Sequence, residues 1–248
     1  MAKTSNNTNI LLFIDIETVS TTSSYGALPQ RIKKMWEYKS SFLNPDKTPE
    51  ELYVEKAGIF AEFGKIIVIG LAFFYDYEDQ TFLRVTSLQN HDEYKLLSDF
   101  KQLLEQKFKN KDIQFCAHNG KEFDYPYLCR RMLVHGIEHP KSLQLSGRNP
   151  WDVPHLDTLE MWRFGDRKNY TSLELLAALF NIPTSKADFD GSQVNKIYYS
   201  SDNALDRIAE YCRADVIVTA QLYRRLKGFG LIPEENITYQ PYRSDVEI

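Results

Sequence analysis

One short segment near the N-terminus constrains the fold of this chain more than any other. Residues 10–16 read ILLFIDI, a nearly continuous apolar run that is rich in β-branched side chains. Such a run is typical of a strand buried on both faces, because a strand with one solvated face would alternate apolar and polar residues. We therefore expect an α/β protein whose central strands are covered by helices.

Two acidic residues, Asp15 and Glu17, lie at the end of this predicted strand. A carboxylate in a buried position costs free energy unless it is paired or bound to a metal ion. Since side chains two residues apart project from the same face of a strand, both carboxylates can bind one cation or a close pair of cations. The alternative is a strand end capped by two solvated acids, and the same spacing recurs at Asp76 and Glu78 in a turn-like segment.

The composition restricts the class of protein further. The 248 residues are 43% apolar and 13% aromatic, and 30 basic against 34 acidic side chains give a formal net charge of −4. A disordered chain would have lower hydrophobicity and a larger net charge, so we expect a folded domain. An acidic chain does not bind nucleic acid by bulk electrostatics, and any contact with a phosphate backbone must therefore be local.

The cysteines and the apolar runs indicate a cellular location. Cys116, Cys129 and Cys212 stand far apart, which favours neither a disulfide framework nor a zinc site and indicates a reducing compartment. Residues 1–8 lack the apolar core of a signal peptide, and the longest apolar run, residues 66–75, is about half of the ~20 residues that a membrane helix needs. We expect a cytoplasmic protein with no membrane partner.

The order of predicted elements indicates one domain over the whole chain, residues 1–248. Strands are predicted at residues 10–16, 65–75, 81–85 and 113–117, and helices at residues 90–108, 124–135 and 204–227. The first three strands should be largely antiparallel, because the polar residues 76–80 form a hairpin, and the later ones parallel. This predicts a mixed five-stranded sheet flanked by helices, with its ligand site at the carboxyl ends of the central strands.

Three segments lie outside the regular elements of the predicted core, which spans about residues 10–228. An insertion at about residues 20–60 is too long for a plain loop, and a capping box at Thr48 predicts helices within it. Residues 188–201 are rich in Gly, Asp and Ser and favour a loop. Residues 229–248 are expected to form a tail.

A third acid, Asp215, lies on the apolar face of the long C-terminal helix. Tyr211 stands one helical turn earlier, so its hydroxyl can be held beside that carboxylate. The spacing alone is weak evidence, since a core tyrosine with its hydroxyl at the rim would show it too. Asp124 adds a fourth acid at the start of a predicted helix, where it can instead serve as a simple cap. The predicted topology brings all of these acids to one edge of the sheet.

At these positions the sequence resembles the DEDD 3′–5′ exonucleases of the ribonuclease-H-like fold. Residues 13–18 (FIDIET) resemble their first motif, and residues 118–119 with 123–128 (HN and FDYPYL) resemble their second. The second motif is especially similar to the proofreading domains of family B DNA polymerases and their stand-alone relatives. Residues 211–215 (YCRAD) resemble the third motif of the tyrosine subgroup, and residues 62–66 (EFGKI) resemble the stand-alone group. His118 is a departure, because polymerase domains usually carry Tyr there.

The resemblance implies a role for each acid. Asp15 would bridge two divalent cations, Mg²⁺ or Mn²⁺; Glu17 and Asp215 would complete one site, and Asp124 would hold the second ion. Tyr211 would orient the attacking water. The resemblance also implies that Asn119 and Phe123 contact the terminal nucleotide of the substrate, and Thr18 and His118 are further candidates for substrate binding.

Several roles remain open at this stage. Asp157 begins a capping box with Glu160, or else supports the metal site from behind. His118 either touches phosphate or closes a turn. Tyr25, Trp36 and the basic residues of the insertion either pack against the core, which we favour, or stack on a single strand. A group of arginines can form a local basic rim, although helical arginines usually form a solvated face; they are Arg130, Arg131, Arg207, Arg213, Arg224 and Arg225.

The predicted function is a metal-dependent 3′–5′ exonuclease that releases nucleoside monophosphates from single-stranded DNA. An exoribonuclease with the same site is the nearest alternative, because DNA and RNA differ in a 2′-hydroxyl contact that the sequence does not locate. A binding module with an inactive site is a third reading, and retention of every acid argues against it. An ATP-using member of the fold would need glycine-rich phosphate loops, and the 11 glycines form no such cluster.

Overall fold

The computed structural model describes residues 9–109, 111–184, 189–201 and 203–242. It contains a single six-stranded sheet in the order β5-β4-β1-β2-β3-β6. The strands are β1 Ile10–Ser20, β2 Gly64–Tyr77, β3 Gln80–Gln89, β4 Ile113–Ala117, β5 Leu156–Asp157 and β6 Ile237–Tyr239. The central strand is β1, which pairs antiparallel with β2 and parallel with β4.

Helices cover both faces of the sheet. The helices are α1 Gln30–Ser40, α2 Pro49–Lys56, α3 Glu93–Lys107, α4 Asp124–Val134, α5 Thr158–Arg163, α6 Leu173–Leu179, α7 Val194–Ser200 and α8 Ala204–Leu226. On one face, Leu12 and Ile14 of β1 pack in a core with α3 and α4. On the other face, Phe13 packs in a core with α8. The alternation of side chains along β1 therefore divides the interior into two layers.

The predicted α/β class and the antiparallel-then-parallel sheet are confirmed, with one strand more than expected. The additional strand is β6, which pairs parallel with β3 at the edge of the sheet. It lies in the segment that we expected to be a tail, residues 229–248. Strand β6 is three residues long, too short to show an alternating pattern of its own.

A second difference concerns residues 188–201, which we expected to form a loop. Residue 188 lies outside the described residues, but a short 3₁₀ helix at Gly191–Gln193 leads directly into α7. The Asp190 carboxylate accepts a hydrogen bond from the Ser192 backbone N–H at 2.8 Å and so caps this turn. Polar residues that suggested a loop therefore serve as the start signal of a helix.

The insertion between β1 and β2 is helical, as expected. The Thr48 hydroxyl accepts a bond from the Glu51 backbone N–H, and the Glu51 carboxylate accepts one from the Thr48 N–H, which completes the capping box of α2. Trp36 and Tyr25 are buried in a small core of the insertion itself, where the rings of Trp36 and Tyr53 meet edge-on at 5.4 Å. These two aromatic residues are therefore used for packing.

No helix among the described residues is long and apolar enough to cross a membrane. Cys116, Cys129 and Cys212 are all free thiols.

Candidate active site

Asp15 and Glu17 lie on the α8 side of the central strand, and both lie within β1 rather than at the strand end that we predicted, because β1 continues to Ser20. One ligand atom each of Asp15, Glu17 and Cys212 lies within 4.8 Å of the others. The Cys212 thiol, on α8, donates to the Asp15 carboxylate at 3.3 Å. The pairing of β1 with β2 shifts register between Glu17 and Thr18. Both acids therefore lie just before an irregularity in the strand.

Gly70 on β2 allows α8 to reach these acids. It pairs directly with Asp15 across the sheet. A Cβ atom at this position would lie 2.8 Å from a methyl group of Val216 and 2.9 Å from the Cys212 sulfur. Because such contacts are too short, only glycine permits this approach of the helix to the sheet. The same approach brings Asp215 beside the acids of β1.

Asp124 enters the site from the opposite layer. It is the first residue of α4 and is almost completely buried. Its carboxylate accepts a hydrogen bond from the Ile16 backbone N–H at 3.1 Å, across 108 residues of sequence. No side-chain cap is formed at the N-terminus of α4, so Asp124 does not have the capping role that we considered.

Tyr211 and Asp215 form a hydrogen-bonded pair on one turn of α8. The Tyr211 hydroxyl donates to the Asp215 carboxylate, which lowers the pKa of Asp215, whereas burial, the larger effect, raises it to about 6. Burial also raises the pKa of Tyr211, and the carboxylates of Asp215 and Glu17 raise it further. The phenol therefore stays protonated at neutral pH and remains a donor.

The four acids destabilise one another's charged forms. Burial, followed by repulsion from Glu17, Asp124 and Asp215, raises the pKa of Asp15 well above its usual value. The pKa of Glu17 is raised by burial and by Asp215 and Asp124. Burial raises the pKa of Asp124 to about 7, although hydrogen bonds from backbone N–H groups oppose the shift. Among the ion pairs of the described residues, none joins a lysine or arginine to any of these four carboxylates.

This donor set fits hard divalent cations. Carboxylate oxygens are the ligands that Mg²⁺ and Mn²⁺ prefer, and clustered acids without a protein cation require positive charge from another source at neutral pH. We infer that Asp15, Glu17, Asp124 and Asp215 are the residues that would hold such ions.

A cleft of about 690 Å³ opens beside the acids. Asp15, Tyr211 and Asp215 line it on one side, and His118 and Tyr170 line it on another. Its remaining lining residues are Ser172, Leu173, Glu174, Thr184, Phe189, Asp190, Gly191, Gln193 and Val218. The cleft is therefore wide enough for a nucleotide and carries a partly aromatic wall.

Both ring nitrogens of His118 are engaged by the protein. Nε2 donates to the Thr171 carbonyl at 2.9 Å, and Nδ1 lies 2.9 Å from the Thr158 hydroxyl. Burial lowers the pKa of His118, so the ring is neutral at pH 7 and Nδ1 accepts from Thr158. His118 thus connects the end of β4 to the segment before α6, and both of its ring nitrogens are already hydrogen-bonded within the protein.

Asp157 holds the turn that precedes Asp124. Its carboxylate caps α5 by accepting from the Leu159 N–H at 2.9 Å. It also accepts from the backbone N–H groups of Asn119 at 2.9 Å and Lys121 at 3.1 Å. Asn119 has a positive φ of 63°, a conformation that Asn tolerates better than most residues. The predicted capping role is therefore observed. The same carboxylate also holds the backbone of residues 119–121, within the segment that resembles the second motif.

The remaining residues predicted to contact substrate lie beside the acids but do not line this cleft. The Thr18 side chain is hydrogen-bonded to the Tyr127 hydroxyl. The Phe123 ring packs on Tyr127 with 5.3 Å between the centroids. Asn119 occupies the turn described above. Contact of these residues with a terminal nucleotide remains a prediction.

The arginines considered as a basic rim serve different purposes. Arg131 is buried and its Nε donates to the Glu93 carboxylate at 2.9 Å, which joins α4 to α3. Arg213 donates to the Ser87 hydroxyl at 2.7 Å. Arg207 lies over the ring of Phe189, 5.7 Å from its centroid, and so stands near the cleft.

Sequence reasoning missed two residues of the site. Glu174 lines the cleft and raises the pKa of Asp215, and it follows the Ser172 cap of α6 by two residues. Tyr170 lines the cleft beside His118, with 6.3 Å between the ring centroids. Sequence spacing gives no signal for either residue, because Tyr170 lies in a connecting segment, Glu174 lies in the short helix α6, and the approach of both to the acids depends on tertiary contacts.

One protein-family model matches residues 59–244 of the chain. That family is described as a predicted 3′–5′ exonuclease related to the exonuclease domain of PolB. The chain belongs to this family. The region that matches the exonuclease family contains Asp124, Tyr211 and Asp215, and it begins downstream of Asp15 and Glu17.

Among solved structures, the chain is similar to the family B DNA polymerase from the hyperthermophilic archaeon Pyrobaculum calidifontis. The TM-score is 0.48 and the sequence identity is 14%. The similarity covers 88% of this predicted exonuclease and 24% of the polymerase chain, so the present chain spans about a quarter of the polymerase.

Proposed function

We propose that this protein is a metal-dependent 3′–5′ exonuclease that releases nucleoside monophosphates from single-stranded DNA. The observation that carries the proposal is the convergence of four carboxylates, from β1, α4 and α8, beside the central strand, where none of the described ion pairs joins them to a lysine or arginine. Membership in a family of predicted 3′–5′ exonucleases supports the direction of attack. A cytoplasmic location stays a prediction.

Two divalent cations, Mg²⁺ or Mn²⁺, would be held by Asp15, Glu17, Asp124 and Asp215. When bound, they supply Lewis acidity at the scissile phosphodiester and charge stabilisation for the leaving 3′ oxygen. The protein's own part is to hold the carboxylates in a buried cluster whose mutual repulsion the ions relieve. Tyr211 stays protonated and points its hydroxyl at Asp215, from where it can orient the attacking water.

Single-stranded RNA is the alternative substrate. A nuclease distinguishes RNA from DNA through contacts with the 2′-hydroxyl, and the described cleft offers polar side chains, such as Ser172 and Gln193, that suit either sugar. A nucleic-acid-binding module without catalytic activity is a further alternative. The presence of all four acids together with Tyr211 favours an active enzyme.

The decisive experiment follows product length against time for matched 5′-labelled DNA and RNA strands in Mg²⁺, Mn²⁺ or EDTA. We expect a ladder that shortens from the 3′ end, faster on DNA, and no cleavage in EDTA. Faster loss of RNA would reverse the substrate preference. Intact strands under every condition would favour the binding module.

Asp15→Asn is the variant that tests the site, because it keeps the size of the side chain and its contact with Cys212 while it removes the negative charge. We expect at least ~10²-fold slower hydrolysis with an unchanged thermal unfolding midpoint or a higher one. Lys109→Gln changes one exposed charge elsewhere and should leave the rate unaltered. Normal turnover by Asp15→Asn would place the site elsewhere.

A further inference from the structure

The outer face of α1 carries large exposed side chains that the proposed chemistry does not use. Met35 and Tyr38 of α1 and Phe42, two residues beyond the end of α1, are 54%, 70% and 71% exposed. The rings of Tyr38 and Phe42 meet edge-on with 5.0 Å between their centroids. Arg31 and Lys34 are also exposed and lie two turns and one turn before Tyr38, at the helical spacing that places them on the same side. We call these five residues the outer face of α1.

This face is positively charged although the chain is not. Helix α1 carries four basic residues and one acid, Glu37, whereas the whole chain has a formal net charge of −4. Glu37 is engaged on another side of the helix, where it accepts a hydrogen bond from the Tyr25 hydroxyl. Among the described ion pairs, none includes Arg31 or Lys34. Their charges are therefore available to a ligand.

The helix behind this face is firmly anchored. Trp36 is completely buried, and its indole N–H donates to the Pro49 carbonyl at 2.8 Å. Its ring packs edge-on against Phe63 at 5.0 Å, immediately before β2. The outer face of α1 is consequently a rigid platform, which is the property that favours stacking of flexible ligands at low entropic cost.

The platform is connected to the acidic site by short contacts. The Tyr53 hydroxyl, which lies in the core beneath α1, bonds to the backbone N–H of Thr22 at 3.2 Å, just beyond the end of β1. On the other side, the Asn195 side chain of α7 donates to the Val54 carbonyl at 2.8 Å. Gln193, two residues before Asn195, lines the cleft. The insertion therefore adjoins both the strand that carries the acids and the turn that borders the cleft.

We propose that the outer face of α1 binds the single-stranded DNA upstream of the 3′ end that is being hydrolysed. The proposal rests on the proposed function for its substrate. Exposed aromatic rings stack on bases of any sequence, and interspersed Arg and Lys side chains contact the intervening phosphates. The face lies outside the region that the family model matches, residues 59–244. This DNA-binding surface would therefore belong to the insertion and not to the shared exonuclease core.

The direct test measures binding of a fluorescein-labelled 20-nucleotide strand by anisotropy in EDTA, where hydrolysis is absent. Tyr38→Ala/Phe42→Ala should weaken binding at least about fivefold, because each stacked base contributes to affinity. Arg31→Ala/Lys34→Ala should reduce the slope of log affinity against log salt by roughly 1.4, since each contact with a single strand accounts for about 0.7. All four side chains are exposed, so both variants should keep the parent unfolding midpoint.

The matched control is Lys95→Ala/Lys109→Ala. Both lysines are exposed, at the beginning of α3 and just beyond its end, and α3 covers the sheet face opposite Asp15. This variant removes the same charge as Arg31→Ala/Lys34→Ala, and we expect the affinity and salt slope of the parent protein. Equal effects of the two double variants would overturn the proposal in favour of a diffuse charge effect.

A second measurement compares substrates of different length under hydrolysing conditions. The ratio of kcat/KM for a 20-nucleotide strand to that for a trinucleotide should fall at least about fivefold in both α1 variants, mainly through KM. An unchanged ratio would overturn the proposal. Parent-like binding together with a change in oligomeric state would assign the face to self-association.

The two proposals fail in distinguishable ways. If the protein hydrolyses DNA but the α1 variants bind and cleave like the parent, the outer face of α1 has no role in substrate binding while the exonuclease proposal stands. If no nuclease activity is found but the α1 variants lose affinity, the binding surface stands without the hydrolysis.

Discussion

Tyr211 and Asp215 form a coupled pair in which each side chain sets the ionisation of the other. The phenol donates to the carboxylate and lowers its pKa, and the carboxylate raises the pKa of the phenol. Loss of the hydroxyl should therefore have two consequences, one on the position of water and one on the charge of Asp215. A residue that only filled space would have neither.

Tyr211→Phe should reduce kcat roughly 10- to 100-fold, which corresponds to one hydrogen bond to a charged group. Asp215→Asn should cost more, because it removes a metal ligand. Removal of the donor raises the pKa of Asp215, so the Mn²⁺ concentration for half-maximal activity should increase more at pH 6 than at pH 8. Titration of activity with Mn²⁺ at both pH values checks this, and equal losses in the two variants would require a different role for Tyr211.

The convergence of the acids was expected from the sequence: Asp15 and Glu17 follow an apolar run, Asp215 lies on an apolar helix face, and Asp124 was chosen through the motif resemblance. The residues that position them were only partly predictable. A capping box indicated Asp157, but its bonds to the turn before Asp124 reach across 36 and 38 residues and have no local pattern. Gly70, which permits the approach of α8, had no sequence signal at all.

One side chain of α8 holds the segment that leads to the C-terminal edge of the sheet. Gln221 is buried, and its amide donates to the Ile232 carbonyl at 2.8 Å while its side-chain oxygen accepts from the Ile232 N–H at 2.8 Å. The side chain thus imitates a neighbouring strand and satisfies both backbone groups of Ile232. This contact directs the chain from α8 toward β6.

Gln221→Leu should lower the free energy of unfolding by about 2–4 kcal/mol, because it leaves two buried backbone groups without partners. Urea unfolding at pH 7 provides the measurement. Gln106→Leu, on the exposed side of α3, is the matched control and should change the value by less than about 0.5 kcal/mol. A similar result for both variants would mean that water replaces the lost contacts.

Elements with a clear apolar pattern were predicted closely, and those without one were not. Helix α8 extends over 23 residues, and its apolar stripe was sufficient to locate both ends within one residue. The buried strand β4 was predicted with its exact bounds, whereas β1 and β3 each extend four residues beyond their predicted ends. Strand β6 has three residues, and its pairing with β3 follows from tertiary contacts and not from its own pattern. The 3₁₀ turn before α7 was missed because capping residues and loop residues have the same composition.

For the molecule as a whole, the acidic cluster couples stability to pH. The folded-state pKa values of Asp124 and Asp215, about 7 and about 6, lie above their ordinary value of 3.8. Between those limits the folded state binds more protons than the unfolded state, so the stability of the metal-free protein decreases as pH rises from about 4 to 7. Divalent cations should offset this loss.

We expect 10 mM Mn²⁺ to raise the unfolding midpoint by several degrees at pH 7.5 and by less at pH 5.5, where the acids are largely protonated. Scanning calorimetry in Mn²⁺ and in EDTA at both pH values measures the difference. In Asp15→Asn the shift at pH 7.5 should be smaller, because that variant lacks the proposed bridging ligand. A shift of equal size at both pH values would indicate binding outside the cluster.

The site combines residues of strand β1 with residues of helix α8, so it can be completed only after α8 has been synthesised. Asp15 is synthesised about 200 residues before Asp215, which at roughly 5–20 residues per second amounts to about 10–40 s. Throughout that interval a growing chain holds β1 but not the helix that supplies the last carboxylate and Tyr211. Under the proposed function, a growing chain that does not yet include α8 lacks the complete acidic cluster and would not degrade nucleic acid, and the capacity to hydrolyse would arise only once the chain has extended beyond α8.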